Sequence, residues 1–201
     1  GTLDELRLAL DHTIEEADHL IKVFNALLMI ARAEAGGALD HGAPLDLTEI
    51  ARDVVELYEP LAEEAGIKIH LTLEGPLTIT GSRELLGQAL ANLIDNAIKY
   101  AADHDQNSDE DAADIVLSVK ANGNHADLIV ADRGPGIAEA DRGRVLDRFV
   151  RLETSRTRPG SGLGLSLVAA VARLHGGTLH LEDNDPGLRA VITLPLKAIK
   201  S

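Results

Sequence analysis

The sequence has no cysteine and no tryptophan, and only two tyrosines and two phenylalanines. The lack of cysteine excludes disulfides, thiolate zinc sites and cysteine nucleophiles. So few aromatic rings argue against a stacking platform for single-stranded nucleic acid, and a net charge of −14 argues against general nucleic-acid binding. No apolar run reaches the roughly 18 residues of a membrane span. The remaining composition, 45% apolar in 201 residues, supports a sizeable core.

Residues 3–35 predict one helix, roughly 50 Å long at 1.5 Å per residue. A heptad register places apolar residues at the a and d positions, namely Leu3, Leu6, Leu10, Ala17, Leu20, Phe24, Leu27 and Ala31. Three more apolar residues, Ile14, Ile21 and Leu28, fall at e and widen the stripe to the face of a helical bundle. We expect this face to require a helical partner. Gly36 and Gly37 end the helix.

The rest of the chain predicts helices alternating with strands. Asp46 and Glu49 form a capping-box signal for a helix that runs to about Ala65, and Ser82 can cap a second helix over 83–102. Further helices are predicted over 139–148 and 162–175, with His175 as a C-terminal cap. Strand patterns cover 67–74, 76–80, 115–120, 126–132, 178–183 and 189–195. Together these elements predict a two-layer α/β sandwich.

Residues 102–114 are almost all small or acidic. The spacing of their acidic residues is similar to that of a calcium loop, but Ser108 stands where the sharp-turn glycine belongs and a strand follows. A solvated loop is the favoured interpretation, and calcium binding stays open as the alternative.

Three polar clusters could carry chemistry. Asn92, Asn96 and Lys99 share one side of the helix over 83–102, away from its apolar face, where an amide can bind Mg²⁺ and a lysine can neutralise phosphate. A solvated polar face is the alternative. Asp132 ends an apolar strand and precedes Gly134 and Gly136, which suits a ligand amine as well as a simple turn.

The third cluster consists of Gly160, Gly162 and Gly164 before a helix, a pattern that suits a polyphosphate. The segment follows no strand and lacks the Gly-Lys-Ser/Thr ending of a P-loop, so neither Walker nor Rossmann binding fits. Residues 133–162 contain seven arginines and four carboxylates, a net charge of +3 on an acidic chain. This reversal favours an anionic ligand, with scattered surface arginines as the alternative.

Four motifs, in order and at family spacing, resemble the ATP-binding domain of sensor histidine kinases: NLIDNAIKY (92–100), DRGPGI (132–137), LDRFVRLETSR (146–156) and GSGLGLSLVAAVARLHGG (160–177). Residues 19–36 resemble the second helix of the dimerisation and phosphotransfer domain of that family. The resemblance implies the histidine kinase/gyrase/Hsp90-type ATP-binding fold. It implies three regions: part of the bundle (1–36), a linker (37–45) and the ATP-binding domain (46–201).

The resemblance also implies a role for individual residues. Asn96 would bind Mg²⁺ with Asn92 beside it, Lys99 would contact phosphate, and Tyr100 would cover the adenine. Asp132 would accept the adenine amine, next to a wall shaped by Gly134, Gly136 and Ile137. The glycines of 160–164, with Ser161 and Leu163 between them, would close on the triphosphate. Arg148 and Arg151 match basic positions near the γ-phosphate, and about 137–161 would form a mobile lid.

Two departures from related patterns matter. Related ATPases place a glutamate where this chain has Asn92, so efficient ATP hydrolysis is not expected. No segment resembles the His-Glu-Leu-Arg-Thr-Pro phosphoacceptor motif, and His12 and His19 do not match it. The chain is therefore expected to be a fragment of a longer kinase, with the acceptor histidine before residue 1.

The resemblance implies an ATP-dependent protein-histidine kinase that uses Mg²⁺ and relays phosphate to a response regulator. A homodimer through the N-terminal helix is expected in the full-length protein, with no nucleic-acid partner. The fragment would be a cytoplasmic domain of an inner-membrane sensor, attached to the membrane only through regions absent from this chain. A nucleotide-binding regulatory module without transferase activity is the alternative.

Overall fold

A computed structural model describes residues 3–35, 42–101, 114–151 and 162–197. The helices are α1 (Leu3–Glu34), α2 (Leu47–Glu64), α3 (Arg83–Ala101), α4 (Glu139–Arg142) and α5 (Gly164–Leu174), with a 3₁₀ turn at Arg144–Leu146. The strands are β1 (Ala43–Asp46), β2 (Ile69–Leu73), β3 (Thr78–Gly81), β4 (Ile115–Asn122), β5 (His125–Ala131), β6 (Thr178–Asp183) and β7 (Leu188–Pro195). No helix in these described ranges is long and apolar enough to span a bilayer.

Five strands form the main sheet in the order β2-β4-β5-β7-β6, with β2 and β4 parallel and the other pairs antiparallel. Alternate residues of the central strands, such as Leu117, Leu128 and Ile192, are fully buried and belong to the core cluster. Helices α2, α3 and α5 contribute the other half of this core. The predicted two-layer α/β sandwich is confirmed.

A small second sheet joins the start of α2 to the core. β1 pairs with β3 in antiparallel register, so residues 43–45, which the sequence assigned to the linker, form most of a strand. The Asp46 carboxylate caps α2 by accepting from Thr48 N at 2.9 Å, and it also accepts from Leu77 N at 3.1 Å. The predicted reciprocal bond from Glu49 is wrong, because Glu49 Oε2 instead accepts from the Arg83 guanidinium at 3.3 Å.

Helix α1 has two apolar faces, of which the heptad pattern identified one. Ala26, Ile30 and Ala33 are buried where α1 packs against α5, and they join the core cluster. The heptad face keeps large side chains exposed, among them Leu10, Ile14, Leu20, Ile21, Phe24 and Leu28. A partner for that face stays a prediction, while the second face packs against α5 within the chain.

The predicted helix over 139–148 is shorter than expected. Its residues form α4 and the 3₁₀ turn, separated by Gly143, and only Val145 of these two elements is buried. With one buried side chain, this segment gains too little from packing to hold a continuous helix.

His175 joins the end of α5 to the beginning of α3. Its Nδ1 lies 2.8 Å from Val171 O, and Ser82 N donates to its Nε2 at 3.0 Å, so the ring is neutral with its proton on Nδ1. Burial lowers the pKa of His175 below its usual 6.5. His175 is the C-cap residue of α5, as predicted, but it acts as a neutral link rather than as a cation at the helix end.

Candidate functional site

The N-terminus of α5 faces the polar side of α3. A Cβ atom built on Gly164, the first residue of α5, would lie 3.6 Å from Asn92 Oδ1 and 3.4 Å from Asn96 Nδ2. Asn92 Nδ2 donates to Gln88 O at 2.9 Å, which leaves Asn92 Oδ1 on the α5 side. The structure therefore brings together two of the polar clusters that the sequence singled out, and a larger residue than glycine would crowd the space between them.

Lys99 and Tyr100 are half-buried in the last turn of α3, and the Tyr100 backbone meets the loop after β5. A Cβ atom on Gly134 would lie 2.9 Å from Tyr100 O, so this loop approaches the end of α3 closely. One wall of the site is thus built from the C-terminal turn of α3, Asp132 and Gly134.

Asp132 forms that wall with a carboxylate that is 7% exposed. Its Oδ1 accepts from Gly134 N at 2.8 Å and from Leu188 N at 3.3 Å. Burial raises the pKa of Asp132 above its usual value, and the two N–H donors offset part of the rise. No described residue donates to Oδ2, so this oxygen keeps its capacity to accept a hydrogen bond from a ligand.

The turn between β6 and β7 supports this wall, and sequence reasoning missed it. Asn184 Nδ2 donates to Asp132 O at 2.7 Å, while Asp132 N donates to Leu188 O at 2.9 Å. Gly136 adopts φ +68°, and a side chain there would meet Gly187 O. The Asn-Asp-Pro-Gly composition of the turn predicts a tight turn, but nothing local in it points to Asp132.

The segment after Gly136 is held by an arginine that the sequence analysis did not single out. Arg142 Nε donates to Ile137 O at 2.9 Å, and an Arg142 nitrogen lies 3.9 Å from the Asp183 carboxylate. These contacts fix the position of Ile137 at the edge of the predicted lid. No pattern in the sequence distinguishes Arg142 from the neighbouring arginines.

Phe149 and Arg151 meet the residues just before α5. Phe149 N donates to Gly162 O at 3.1 Å, and a Cβ atom on Gly162 would lie 3.0 Å from Arg151 Cγ. Leu163 is buried, and its carbonyl accepts from Ser166 Oγ at 3.0 Å and from Leu167 N at 2.8 Å. Gly160 and Ser161, which the sequence also placed here, lie outside the described residues, as does the acidic segment over 102–113.

Arg148 lies apart from this group of residues. One of its guanidinium nitrogens donates to Glu34 Oε2 on α1 at 3.0 Å, and both side chains are partly exposed. Arg148 therefore joins the predicted lid to α1 in this structure, and Arg151 is the predicted basic residue that contacts the glycine segment.

The arrangement fits a polyphosphate nucleotide with a divalent cation. The N-terminus of α5 favours an anion, and the amides of Asn92 and Asn96 face the same space. Within the described ranges, no three His, Cys, Asp or Glu side chains are grouped as a metal site. A cation would therefore be bound by amide oxygen and by oxygens of the ligand, which are donors that Mg²⁺ accepts.

Comparison with known proteins supports this interpretation. Residues 81–198 match the family described as histidine kinase-, DNA gyrase B- and HSP90-like ATPase. The signal transduction histidine-protein kinase/phosphatase MprB of Mycolicibacterium vanbaalenii is 34% identical over 183 residues, which are 91% of this chain and 35% of that protein. The sensor histidine kinase CusS of Escherichia coli is 30% identical, over 95% of this chain and 38% of that protein.

Solved structures agree. Full-length ShkA in complex with AMPPNP superposes with a TM-score of 0.79 at 29% identity, covering 98% of this chain and 40% of that one. The mycobacterial sensor histidine kinase MprB superposes with a TM-score of 0.65 at 30% identity, covering 79% of this chain and 99% of that one. The chain spans less than half the length of the curated relatives described above.

Proposed function

Since the chain belongs to the histidine kinase-, DNA gyrase B- and HSP90-like ATPase family, we propose that it is the ATP-binding catalytic part of a sensor histidine kinase. The reaction is transfer of the γ-phosphate of ATP to a histidine imidazole, which is nucleophilic when neutral. Residues 1–36 would be the second helix of the dimerisation bundle, followed by a linker and by the ATP-binding domain, which includes β1 because that strand pairs with β3.

One observation carries the proposal. Gly164 at the N-terminus of α5 faces the amides of Asn92 and Asn96. The gap between them is so narrow that a Cβ atom on Gly164 would contact both amides. A helix N-terminus favours phosphate, and side-chain amides favour a hard cation, so the two features together suit a metal-bound polyphosphate. This combination also agrees with a family defined by ATP binding.

Each site residue then has a defined task. Asp132 accepts the adenine amine through Oδ2 while Oδ1 holds the loop, and Tyr100 covers the ring. Lys99, Arg151 and the start of α5 neutralise and orient the phosphates, which is most of what phosphoryl transfer requires of a protein. Mg²⁺, when bound, supplies charge neutralisation at the phosphate oxygens, and Asn96 with Asn92 would hold it. Arg148 joins the phosphate site only after leaving Glu34.

The partners follow from the same proposal. A response regulator would receive the phosphate, and the exposed heptad face of α1 would pair with a second copy in the complete protein. The fragment would act on the cytoplasmic side of an inner-membrane sensor.

A transfer assay with a supplied acceptor tests the proposal. An intact dimerisation and phosphotransfer domain should gain acid-labile phosphate when it is mixed with this chain, Mg²⁺ and labelled ATP. Asn96→Ala should abolish the transfer, whereas the control Asn124→Ala, in the exposed β4–β5 turn, should retain it. ATP binding without any transfer to several such domains would favour the regulatory module, and steady-state phosphate release would favour an ATPase.

A further inference from the structure

The face of the main sheet opposite the helices contains a cavity of about 450 Å³, within the usual range for small-molecule sites. Its floor is apolar and is formed by alternate residues of the central strands, Val116, Ile129 and Ala131. Its polar lining includes Arg133 and Arg189. The candidate nucleotide site uses none of these five residues.

The two arginines of this cavity differ in their partners. Arg189 forms an ion pair with Glu182 Oε2 across 3.5 Å, and its buried Nε atom makes no hydrogen bond. No hydrogen bond or ion pair joins the Arg133 side chain to another described residue, and Arg133 is exposed. Asp114 is the carboxylate among the lining residues, and His70 already contacts it at 2.6 Å. Two arginines therefore face one carboxylate in the lining of the cavity, and this excess of positive charge favours an anionic ligand.

The cavity is connected to the wall of the nucleotide site through the backbone. Arg133 follows Asp132 and Arg189 follows Leu188, and Asp132 and Leu188 bond to each other through Asp132 N and Leu188 O. Asn184, which also lines the cavity, donates to Asp132 O at 2.7 Å. A ligand between the two arginines would therefore restrain both strands that position the Asp132 carboxylate.

We propose that this outer-face cavity is a second binding site, which takes a small organic anion with a carboxylate or phosphate group on a compact apolar body. Arg133 and Arg189 bind the anionic group, and Val116, Ile129 and Ala131 contact the apolar body. Binding there restrains the β6–β7 turn and tightens nucleotide binding on the other face. By linkage, the nucleotide tightens binding of the anion by the same factor.

Phenyl phosphate is a suitable probe, and benzyl alcohol is its uncharged control. The chain is first saturated with ADP so that the probe does not enter the phosphate site, and binding is followed by amide chemical shifts. The proposal requires saturable shifts at Arg133, Asn184 and Arg189, and little response to benzyl alcohol. Shifts confined to Gly164 and its neighbours, a non-saturating response, or equal binding of benzyl alcohol would overturn it.

Matched arginine variants provide the second test. Arg189→Gln and Arg133→Gln should each raise the dissociation constant of phenyl phosphate about tenfold or more, because a charge-assisted hydrogen bond is lost. Arg52→Gln, an exposed arginine on α2 in the helical layer, should leave it unchanged. If Arg189→Gln does not fold, Arg133→Gln still decides the matter, since its side chain is exposed. Equal affinity in Arg133→Gln and Arg52→Gln would refute the site.

The connection to the nucleotide site has its own measurement. Saturating phenyl phosphate should tighten ADP binding by about fivefold, at the lower end of typical couplings between sites. The effect should vanish in Arg133→Gln, whose ADP affinity without the probe should match that of the unaltered chain. An unchanged ADP affinity at saturating probe would disprove the coupling.

Discussion

The two carboxylate oxygens of Asp132 have different surroundings. Oδ1 accepts from Gly134 N and Leu188 N and so holds the loop after β5 against β7. Oδ2 accepts nothing from the described residues and is the atom available to a base amine. Because these roles are separate, a substitution that keeps one acceptor oxygen can test recognition without dismantling the wall.

Asp132→Asn is that substitution. Its amide oxygen can still accept hydrogen bonds from both backbone donors. Its NH₂ group, however, is a donor placed against the adenine amine, which is also a donor, so the hydrogen bond to the base is lost. We expect adenine nucleotides to bind about tenfold or more weakly, and thermal stability to be unchanged or slightly higher, since a buried charge is removed. Calorimetric titration with ADP and a thermal melt measure the two effects. Equal ADP affinity in the two proteins would remove Asp132 from the adenine site.

Asn96 tests the other end of the site. Asn96→Ala should abolish the tightening of ADP binding by Mg²⁺ while adenosine binding persists, because the adenine wall at Asp132 is left intact. Calorimetric titrations with and without Mg²⁺ measure this, and Asn124→Ala is the matched control. A variant with full magnesium dependence would move the cation to other ligands.

His175 makes the stability of the fold depend on pH. The pKa of His175 in the folded chain lies below the usual 6.5. As the pH falls below about 6.5, the unfolded chain therefore binds a proton at this residue before the folded chain does. Stability is therefore complete above that pH and falls as the pH decreases towards the folded-state pKa. His175→Gln should lose about 1–3 kcal/mol at pH 7.5, since Ser82 N loses its acceptor, and should show a flatter acid decline.

Urea denaturation at pH 7.5, 6.5 and 5.5 measures this effect. His125→Gln is the control, because His125 is an exposed histidine at the start of β5. The interpretation fails if His175→Gln and the unaltered chain lose stability in parallel across this range.

At the scale of elements, the sequence predicts most helices and strands because their signals are local. The apolar period of α3, the apolar run of β5 and the glycines after α5 all act within a few residues. β1 was missed because its four residues become a strand only by pairing with β3, more than thirty positions away. The bond from Asn184 to Asp132 spans 52 positions, so no local pattern in the turn could indicate it.

The sequence predicts only one of the two apolar faces of α1, because the other depends on a distant partner. The heptad pattern identified the exposed face, whereas Ala26, Ile30 and Ala33 are spaced by four and three residues and lie outside the a, d and e positions. Their burial depends on α5, whose own surface is not apparent from the sequence of α1. The ion pair between Glu34 and Arg148 adds little to this packing, because both side chains are largely solvated.

Ile30→Ala tests the packing of α1 on α5. Ile30 is 1% exposed, and its truncation should weaken docking of α1 by about 2–4 kcal/mol. Ile21→Ala, on the same helix but 57% exposed, is the matched control and should cost less than about 0.5 kcal/mol. Limited proteolysis of α1, together with the melting of the remaining domain, measures docking separately from global stability. Equal protection in both variants would contradict the observed interface.

At the scale of the whole molecule, charge is distributed unevenly. The chain carries −14, yet residues 133–162 carry seven arginines and four carboxylates. An acidic protein repels a polyphosphate at long range, so a segment of opposite charge is expected to favour its binding. Arg148 in that segment is paired with Glu34 of α1.

The whole chain should bind ATP and still fail to phosphorylate itself. None of its eight histidines is followed by Glu-Leu-Arg-Thr-Pro, and His175 uses both ring nitrogens in hydrogen bonds. Three others, His70, His125 and His180, lie on strands of the main sheet, which does not arrange them for in-line attack on a bound γ-phosphate. Incubation with labelled ATP and Mg²⁺ should give no acid-labile phosphate on the chain, although a fluorescent ATP analogue binds and is displaced by ADP. Label mapped to any of its own histidines would refute this expectation, because transfer would then need no separate acceptor helix.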